Sequence, residues 1–225
     1  LLESSLEAAR QSAQSKQAFF SNMSHDMRTP LNAIIGLTEL AEKAAEDPDK
    51  VREYLRRVEL SSRQLLELIN DILDMSRMEH GPVEMNLREF DLKTCIGDCA
   101  EAIRFQAEQA GKTFRLCFDV ERSTVLGDPF RVSQIMNNLL SNALKFTAPG
   151  DTISLEVTQI EHQEYAKYKI VVADTGIGMA QDFLPRLFEP YARESRFEAR
   201  QVKGTGLGMA IVKSLVEQMN GHIHV

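Results

Sequence analysis

Four polar residues of the segment QIMNNLLSNALKFT (134–147) recur at a spacing that places them on one face of a helix: Gln134, Asn138, Asn142 and Lys145. A row of amides that ends in a lysine is a poor stripe for packing against a core. Amide oxygens suit a hydrated Mg²⁺, and a lysine ammonium can steady phosphate groups. The alternative is a helix with an ordinary solvated side, and this segment alone does not decide between the two.

The segment VVADTGIGM (171–179) combines a carboxylate with two glycines at the end of a β-rich run. Gly176 and Gly178 allow the backbone to turn tightly and to approach a ligand closely. Asp174 can accept a hydrogen bond from an adenine amine. Considered by itself, the segment is better explained as an ordinary Asp-Gly turn.

A third segment, KGTGLGMAIV (203–212), has three alternating glycines directly before an apolar helix. Free backbone N–H groups and the helix dipole make such a loop a potential anion site. It is not a P-loop, and Met209 occupies the place of the third glycine in a Rossmann fingerprint. The charged stretch before it (188–203) predicts a mobile lid over a nucleotide, with a solvated disordered loop as the alternative.

The first half contains a histidine followed directly by an aspartate, in FFSNMSHDMRTPLNAIIG (19–36). A lone histidine such as His25 is as often a solvated helix residue as a reactive one. Pro30 lies one turn after Asp26 and cannot donate a backbone hydrogen bond to it, so the helix is loosened there. We expect this weak point to let the segment around His25 bend between two geometries.

The helices and strands that must position these residues change in kind near residue 81. The first 80 residues have helical periodicity, interrupted by the turn residues of EDPDK (46–50), and predict an antiparallel helical hairpin. The second helix has a heptad spacing, formed by Val51, Leu55, Val58, Ser62, Leu65, Ile69, Ile72 and Ser76. Further apolar positions flank this spacing, so we predict a homodimer in which two hairpins form a four-helix bundle.

Residues 81–225 predict an α/β sandwich, with helices on one face of a mixed sheet. The predicted strands cover about 83–90, 113–120, 151–160 and 166–174, and the predicted helices cover about 91–110, 128–145 and 207–220. Another strand is predicted to open at GHIHV (221–225). We therefore expect the sheet to lack its last strands, where the chain ends.

Composition excludes several classes of function. The formal net charge is −7 at pH 7, which argues against a general nucleic-acid-binding surface. The three cysteines, Cys95, Cys99 and Cys117, have no zinc-type spacing and fit reduced thiols in a cytosolic environment.

The sequence also predicts no contact of this segment with a membrane. No apolar run approaches the ~20 residues needed to span a bilayer, and no signal peptide is visible. The chain begins within a predicted helix and without an initiator Met. We therefore expect a cytoplasmic segment of a longer protein, which could have a membrane anchor elsewhere.

Together and in this order, the motifs resemble the transmitter core of sensor histidine protein kinases of bacterial two-component systems. FFSNMSHDMRTPLNAIIG is similar to the H box, NNLLSNALKFT to the N box, and DTGIGM to the first glycine box. FLPRLFEPY is similar to the F box and GTGLGMAIV to the second glycine box. The resemblance covers nearly the whole chain. The sequence of the H box is similar to that of large hybrid or multidomain sensors.

This resemblance implies a domain order and a reaction. Residues 1–80 would be a dimerisation and histidine phosphotransfer hairpin, with an upstream signalling helix at 1–18. Residues 81–225 would be a C-terminally truncated catalytic domain of the Bergerat ATP-binding fold. Mg²⁺-ATP bound there would phosphorylate a histidine of the hairpin, and the phosphoryl group would then move to an aspartate of a response-regulator receiver domain.

The resemblance assigns roles to three residues of the H box. His25 would be the nucleophile, since a neutral imidazole nitrogen can attack at pH 7. Asp26 would take or share the proton of the other ring nitrogen. Thr29 would orient water for dephosphorylating the receiver; the alternative is a hydroxyl that bonds a local carbonyl.

Within the N box, the resemblance implies that Asn138 coordinates Mg²⁺ and that Asn142 and Lys145 lie near the phosphates. Two substitutions depart from the common family pattern: Asp26 stands where many relatives have Glu, and Gln134 replaces a common Glu. Asp26 is shorter by one methylene, and Gln134 removes one charge near the metal. Neither removes a reacting group.

In the glycine boxes, the resemblance implies that Asp174 recognises adenine and that Gly176 and Gly178 line its pocket. Arg193, in the predicted lid, would contact the γ-phosphate. Tyr191 departs from the family pattern, standing where the F box has a second Phe. The backbone of the second glycine box would cradle the phosphates: Gly204, Thr205, Gly206, Leu207 and Gly208.

Two other functions are compatible with parts of this pattern. A scaffolding pseudokinase would dimerise and bind ATP without phosphoryl transfer. Another ATPase of the same fold, of the topoisomerase, mismatch-repair or chaperone type, would hydrolyse ATP without a phosphorylated histidine, but such proteins lack a hairpin with a histidine directly before the nucleotide domain.

Overall fold

The computed structural model describes five stretches of the chain: residues 23–24, 26–81, 84–160, 165–194 and 206–225. The chain divides into two compact units. The first comprises Leu1–His80 with Lys203–Leu207, and the second comprises Gly81–Val202 with Gly208–Val225.

The first unit contains two helices joined by a short turn, as predicted. Helix α1 covers the described residues 23–24 and 26–43, with Pro30 buried inside it, and helix α2 spans Pro48–His80. In the turn, the Asp47 carboxylate accepts the Lys50 N–H at 3.2 Å and pairs with the Lys50 ammonium at 2.8 Å. These bonds to Lys50 lower the pKa of Asp47. None of the described helices has the length and hydropathy of a bilayer-spanning segment.

Large apolar side chains of this unit remain open to solvent in the single chain. Seven of them are 45–58% exposed, namely Leu31, Ile35, Leu40, Leu55, Leu60, Leu66 and Leu73. An uncovered apolar surface of this kind is typical of a helical pair that packs against a partner.

The second unit is an α/β domain with two small sheets. Its strands are β1 (Arg88–Asp91), β2 (Thr113–Asp119), β3 (Thr124–Gly127), β4 (Thr152–Ile160) and β5 (Lys167–Asp174). Its helices are α3 (Leu92–Gln109), α4 (Pro129–Phe146) and α5 (Gly208–Gln218), with a short 3₁₀ helix at Leu184–Arg186. Strand β4 lies between a parallel β2 and an antiparallel β5, and β1 pairs antiparallel with β3.

The sequence missed β3 and misjudged two other strands. Strand β3 has only four residues, too few for an alternating pattern to stand out. The strand predicted at about 83–90 is instead Arg88–Asp91, because pairing with β3 begins only at Arg88 opposite Gly127. Residues 221–225, predicted to open a strand, are not in one.

The core of the second unit lies between the three-stranded sheet and helices α3 and α4. Leu155 and Val157 of β4 point to the same side of the sheet and are fully buried with residues of both helices. The helical members of this core with the least exposure are Ile96, Ala100, Met136 and Leu140. Burying each of the larger side chains contributes roughly 1.5–3 kcal/mol, so α4 is held firmly by one face.

The buried Asp128 determines where α4 begins. Its Oδ1 accepts the N–H groups of Phe130 at 3.0 Å and Arg131 at 3.2 Å, and Pro129 occupies the first helical position. Its Oδ2 accepts the N–H of Asn86 at 3.0 Å, which ties the segment before β1 to the start of the helix. One carboxylate therefore fixes the start of the helix that contains the polar row.

We expect Asp128→Ala to lower the free energy of unfolding by about 2 kcal/mol, since it removes a helix cap and leaves buried N–H groups without an acceptor. Asp128→Asn retains an oxygen that accepts the helix N–H groups, but its amide nitrogen cannot accept the Asn86 N–H. The free energy of unfolding should therefore fall by less than in Asp128→Ala. Urea denaturation followed by circular dichroism measures both. Equal midpoints for wild type and Asp128→Ala would contradict this role.

Candidate functional site

Helix α4 brings its polar row against the first residue of α5. Asn138 is half-buried, and its Nδ2 donates to the Gln134 carbonyl at 3.1 Å. A Cβ atom on Gly208 would lie 2.7 Å from Asn138 Oδ1, so the backbone of Gly208 approaches this oxygen as closely as only a glycine allows. Asn142 follows one turn later on the same face and is also half-buried. The structure thus brings together two segments separated by about 60 residues of sequence.

Among the polar groups of this row, Asn138 is better suited to a metal than Gln134. The Oε1 atom of Gln134 accepts a hydrogen bond from the buried Arg131 guanidinium at 2.7 Å. No cluster of three or more His, Cys, Asp or Glu side chains able to hold a metal occurs in the described stretches. A single amide oxygen fits Mg²⁺, which retains water and takes oxygen ligands from phosphates.

The first glycine loop lies against the C-terminal end of α4. The Ile177 N–H donates to the Phe146 carbonyl at 3.2 Å. A Cβ atom on Gly176 would lie 2.3 Å from that same oxygen, a distance no side chain tolerates. Gly178 has a φ of +61°, a left-handed conformation that glycine adopts without strain. The two glycines therefore have different roles: Gly176 allows the close contact with the helix, and Gly178 allows the turn.

The exposed Asp174 is the last residue of β5, at the entrance to this loop. Its Oδ1 accepts the Gly176 N–H at 2.9 Å, which fixes the orientation of the carboxylate. An oriented acceptor beside a glycine backbone can recognise a flat polar ligand through its amine group.

Two cations meet near the end of α4. Desolvation, together with the charge of Arg193, lowers the pKa of Lys145. The ammonium also lies 4.9 Å from the ring centroid of Phe146. Because like charges repel, this pair favours an anionic ligand that contacts both.

The second glycine box is described only in part. Gly204 and Thr205 lie outside the described residues. Gly206 has a φ of +70°, Leu207 is fully buried, and Gly208 begins α5. The backbone at the start of this eleven-residue helix therefore lies close to Asn138.

In the H box, His25 also lies outside the described residues. Asp26 and Thr29 both lie on α1, Asp26 half-buried and Thr29 exposed. Each has an interaction partner within the structure.

Two contributions to the site had no signal in the sequence. The Phe146 carbonyl, which accepts the Ile177 N–H, is a backbone group and leaves no trace in residue type. Glu194 belongs to a charged stretch that predicts exposure, yet it is only 5% exposed, and its Oε2 accepts the Ala180 N–H at 3.4 Å. A hydrogen bond of this kind offsets part of the cost of burying a carboxylate.

Comparison with protein families gives two matches in succession. Residues 15–81 match the His Kinase A (phospho-acceptor) domain. Residues 127–225 match the histidine kinase-, DNA gyrase B-, and HSP90-like ATPase family. The order of the two matches agrees with the order of the two structural units.

Individual relatives agree with these family matches. Sensor protein GacS of Pseudomonas syringae pv. syringae is 39% identical over 220 residues, which are 96% of this chain and 24% of GacS. Autoinducer 2 sensor kinase/phosphatase LuxQ of Vibrio vulnificus (strain YJ016) is 36% identical over 222 residues, 96% of this chain and 25% of LuxQ. The chain spans about a quarter of the length of these curated relatives.

A solved structure with a similar fold is that of full-length ShkA in complex with AMPPNP. It superposes with a TM-score of 0.62 at 29% sequence identity, covering 89% of this chain and 40% of ShkA.

Gly176→Ala should destabilise the second unit by about 2 kcal/mol, because the added methyl group collides with the backbone carbonyl of Phe146. Gly97→Ala is the matched control. It lies inside α3 with nothing within 4 Å of the new Cβ, so it should stabilise by about 0.5–1 kcal/mol through helix propensity. Urea midpoints of both variants test the contrast, and an unchanged midpoint for Gly176→Ala would show that the loop is not packed against α4.

Proposed function

The chain belongs to the sensor histidine kinases, and from this premise we propose that it transfers the γ-phosphoryl group of ATP to its own His25. We further propose that the phosphoryl group then passes to an aspartate of a receiver domain. The observation that best supports nucleotide binding is that three parts of the chain lie near α4. They are the first glycine loop, which follows Asp174, the start of α5, and Arg193.

Nucleotide phosphates would bind where Lys145 and Arg193 meet. The repulsion between these cations is relieved when phosphate oxygens contact both, so binding should raise the depressed pKa of Lys145. Asn142 lies between Asn138 and Lys145 on the same helix face and can donate to a phosphate oxygen. With Asn138 as its protein ligand, Mg²⁺ would neutralise phosphate charge. The N–H groups at the start of α5 add further donors near Asn138.

Adenine would be recognised by Asp174. The carboxylate accepts a hydrogen bond from the exocyclic amine of adenine, whereas guanine presents an oxygen at the same place and would be repelled. The bond from the Gly176 N–H holds the carboxylate in position before the base arrives. The AMPPNP bound by the related ShkA supports an adenine nucleotide as the ligand.

In the proposed reaction, an imidazole nitrogen of His25 attacks the γ-phosphorus, and the bond to the β–γ bridging oxygen breaks to release ADP. The proton of the other ring nitrogen passes to, or is shared with, Asp26, which neutralises the positive charge that develops on the ring. Positioning and charge neutralisation supply most of the rate enhancement in phosphoryl transfer.

We propose that the chain acts as a homodimer in the cytoplasm. The exposed leucines of α1 and α2 provide an apolar surface that a second hairpin would cover in a four-helix bundle. The three free cysteines are compatible with a reducing compartment, which is also where ATP is available. The receiver domain is either a separate protein or fused in a longer parent chain.

Labelling with [γ-³²P]ATP and Mg²⁺ tests the phosphoryl transfer. Wild type should acquire an acid-labile, base-stable label, and His25→Ala should acquire none because the nucleophile is missing. His222→Ala, an exposed histidine outside every box, should label like wild type. Equal labelling of wild type and His25→Ala would refute the proposal, and nucleotide binding without any label would favour a scaffold instead.

The same assay examines the N box with a pair of adjacent residues. Asn138→Ala should reduce the labelling rate on the order of 100-fold, since it removes the proposed metal ligand. Asn137→Ala changes the neighbouring amide, which is exposed, and should leave the rate within about twofold of wild type. If the labelling rate fell equally in the two variants, Asn138 would have no specific role in the site.

We also propose that the chain dephosphorylates its receiver and that Thr29 orients the water. The name of LuxQ, a sensor kinase/phosphatase, supports a bifunctional enzyme. Thr29→Ala should retain His25 labelling while losing about tenfold or more of the rate at which a phosphorylated receiver loses its label.

Thr38→Ala is the control for this prediction. The Thr38 hydroxyl is occupied with the carbonyls of Ile34 at 2.8 Å and Ile35 at 2.7 Å, so its loss should leave both rates unchanged. The probe is the receiver domain that the labelled wild type phosphorylates fastest. Undiminished receiver dephosphorylation by Thr29→Ala would exclude this role.

A further inference from the structure

Three carbonyl groups in the last turn of α4 accept hydrogen bonds from donors outside the helix: those of Ala143, Leu144 and Phe146. The last carbonyls of any helix lack intrahelical donors and need such partners. The Thr147 hydroxyl donates to the carbonyls of Ala143 at 2.7 Å and Leu144 at 3.2 Å. The Phe146 carbonyl accepts the Ile177 N–H of the first glycine loop.

The most distant partner in sequence is Lys112, which precedes β2. Its ammonium donates to the Leu144 carbonyl at 2.5 Å and to the Thr147 carbonyl at 2.9 Å. A positive charge is also favoured at this end of a helix by the helix dipole. The two acceptors flank Lys145 and Phe146, so one ammonium clamps the backbone on both sides of these residues.

Lys112 itself is held by a well-bonded corner of the domain. Its N–H donates to the Ala107 carbonyl at 2.9 Å, and the adjoining Gly111 carbonyl accepts the Gly150 N–H at 2.8 Å. On its other side, the Thr113 N–H donates to the backbone carbonyl of Asp151 at 2.8 Å. These bonds fix the backbone of the part-buried Lys112. Its ammonium therefore holds the end of α4 at a fixed position relative to the turn between α3 and β2.

We infer that Lys112 is a positioning residue for the nucleotide site, and this inference rests on the proposed function. It does not contact the nucleotide. By clamping the last turn of α4, it keeps the Lys145 ammonium beside Arg193 and the Phe146 carbonyl against the Asp174 loop. The proposed contacts to phosphate and to adenine then both depend on the last turn of α4, which would fray without the Lys112 bonds.

The variants Lys112→Met and Lys112→Arg test this inference. Methionine keeps an apolar stem of similar length but cannot donate, so it should raise the KM for ATP in His25 labelling about tenfold, equivalent to ~1.4 kcal/mol. The rate at saturating ATP should stay within about twofold, because the reacting groups are unchanged. Arginine can still donate to both carbonyls and should restore most of the affinity.

A second readout and a stability control separate positioning from a general loss of structure. Binding of AMPPNP by titration calorimetry should weaken by the same factor as the KM. Asp91→Ala removes the cap of α3, where Asp91 accepts the Thr94 N–H at 2.6 Å and the Ser123 hydroxyl. It should lower the melting temperature without altering AMPPNP affinity.

The outcomes distinguish this inference from the proposed function. If the wild type binds no AMPPNP, the proposed function fails and the inference fails with it. If the wild type binds and Lys112→Met binds equally tightly, the inference alone is overturned. It is also overturned if Asp91→Ala weakens binding as much as Lys112→Met, since Lys112 would then act only through stability.

Discussion

The contact between the Phe146 carbonyl and the backbone of the first glycine loop is the constraint on which the site depends. At this point the helix with the amide row meets the strand that ends in Asp174. A methyl group on Gly176 would lie 2.3 Å from the carbonyl oxygen, so the approach requires a glycine. The same principle operates at the other end of the row, where Gly208 lies against Asn138. Close backbone contacts thus place the three segments around α4.

The two faces of α4 have different roles. One packs in the core, and the other contributes polar side chains to the proposed ligand site. Its apolar side, with Met136 and Leu140 fully buried, holds the helix against the sheet and α3. On its polar side, Asn138 and Asn142 are only half-buried, and Asn138 lies against the glycine that begins α5. Capping by Asp128 at one end and by Lys112 at the other prevents fraying, which would spread directly to the polar row. Stability and ligand binding are therefore coupled through the helix ends.

The sequence predicts the parts of this arrangement that repeat with a regular period. A spacing of 3.6 residues per turn is enough to place Asn138, Asn142 and Lys145 on one face. Alternation is enough to find β4 and β5, but not the four residues of β3. The carbonyl of Phe146 and the clamp by Lys112 were not predictable, because a bond to a backbone oxygen leaves no pattern in residue types. The burial of Glu194 was also not predictable, because this residue lies in a charged stretch of the sequence.

Electrostatics explains why a chain of net charge −7 can still favour a polyanionic ligand. Charge acts locally, within about 8–10 Å at physiological salt, so the acidic surface elsewhere is largely screened. Near the end of α4, desolvation and the charge of Arg193 lower the pKa of Lys145. The proposed phosphate site can therefore be locally positive although the chain as a whole is acidic.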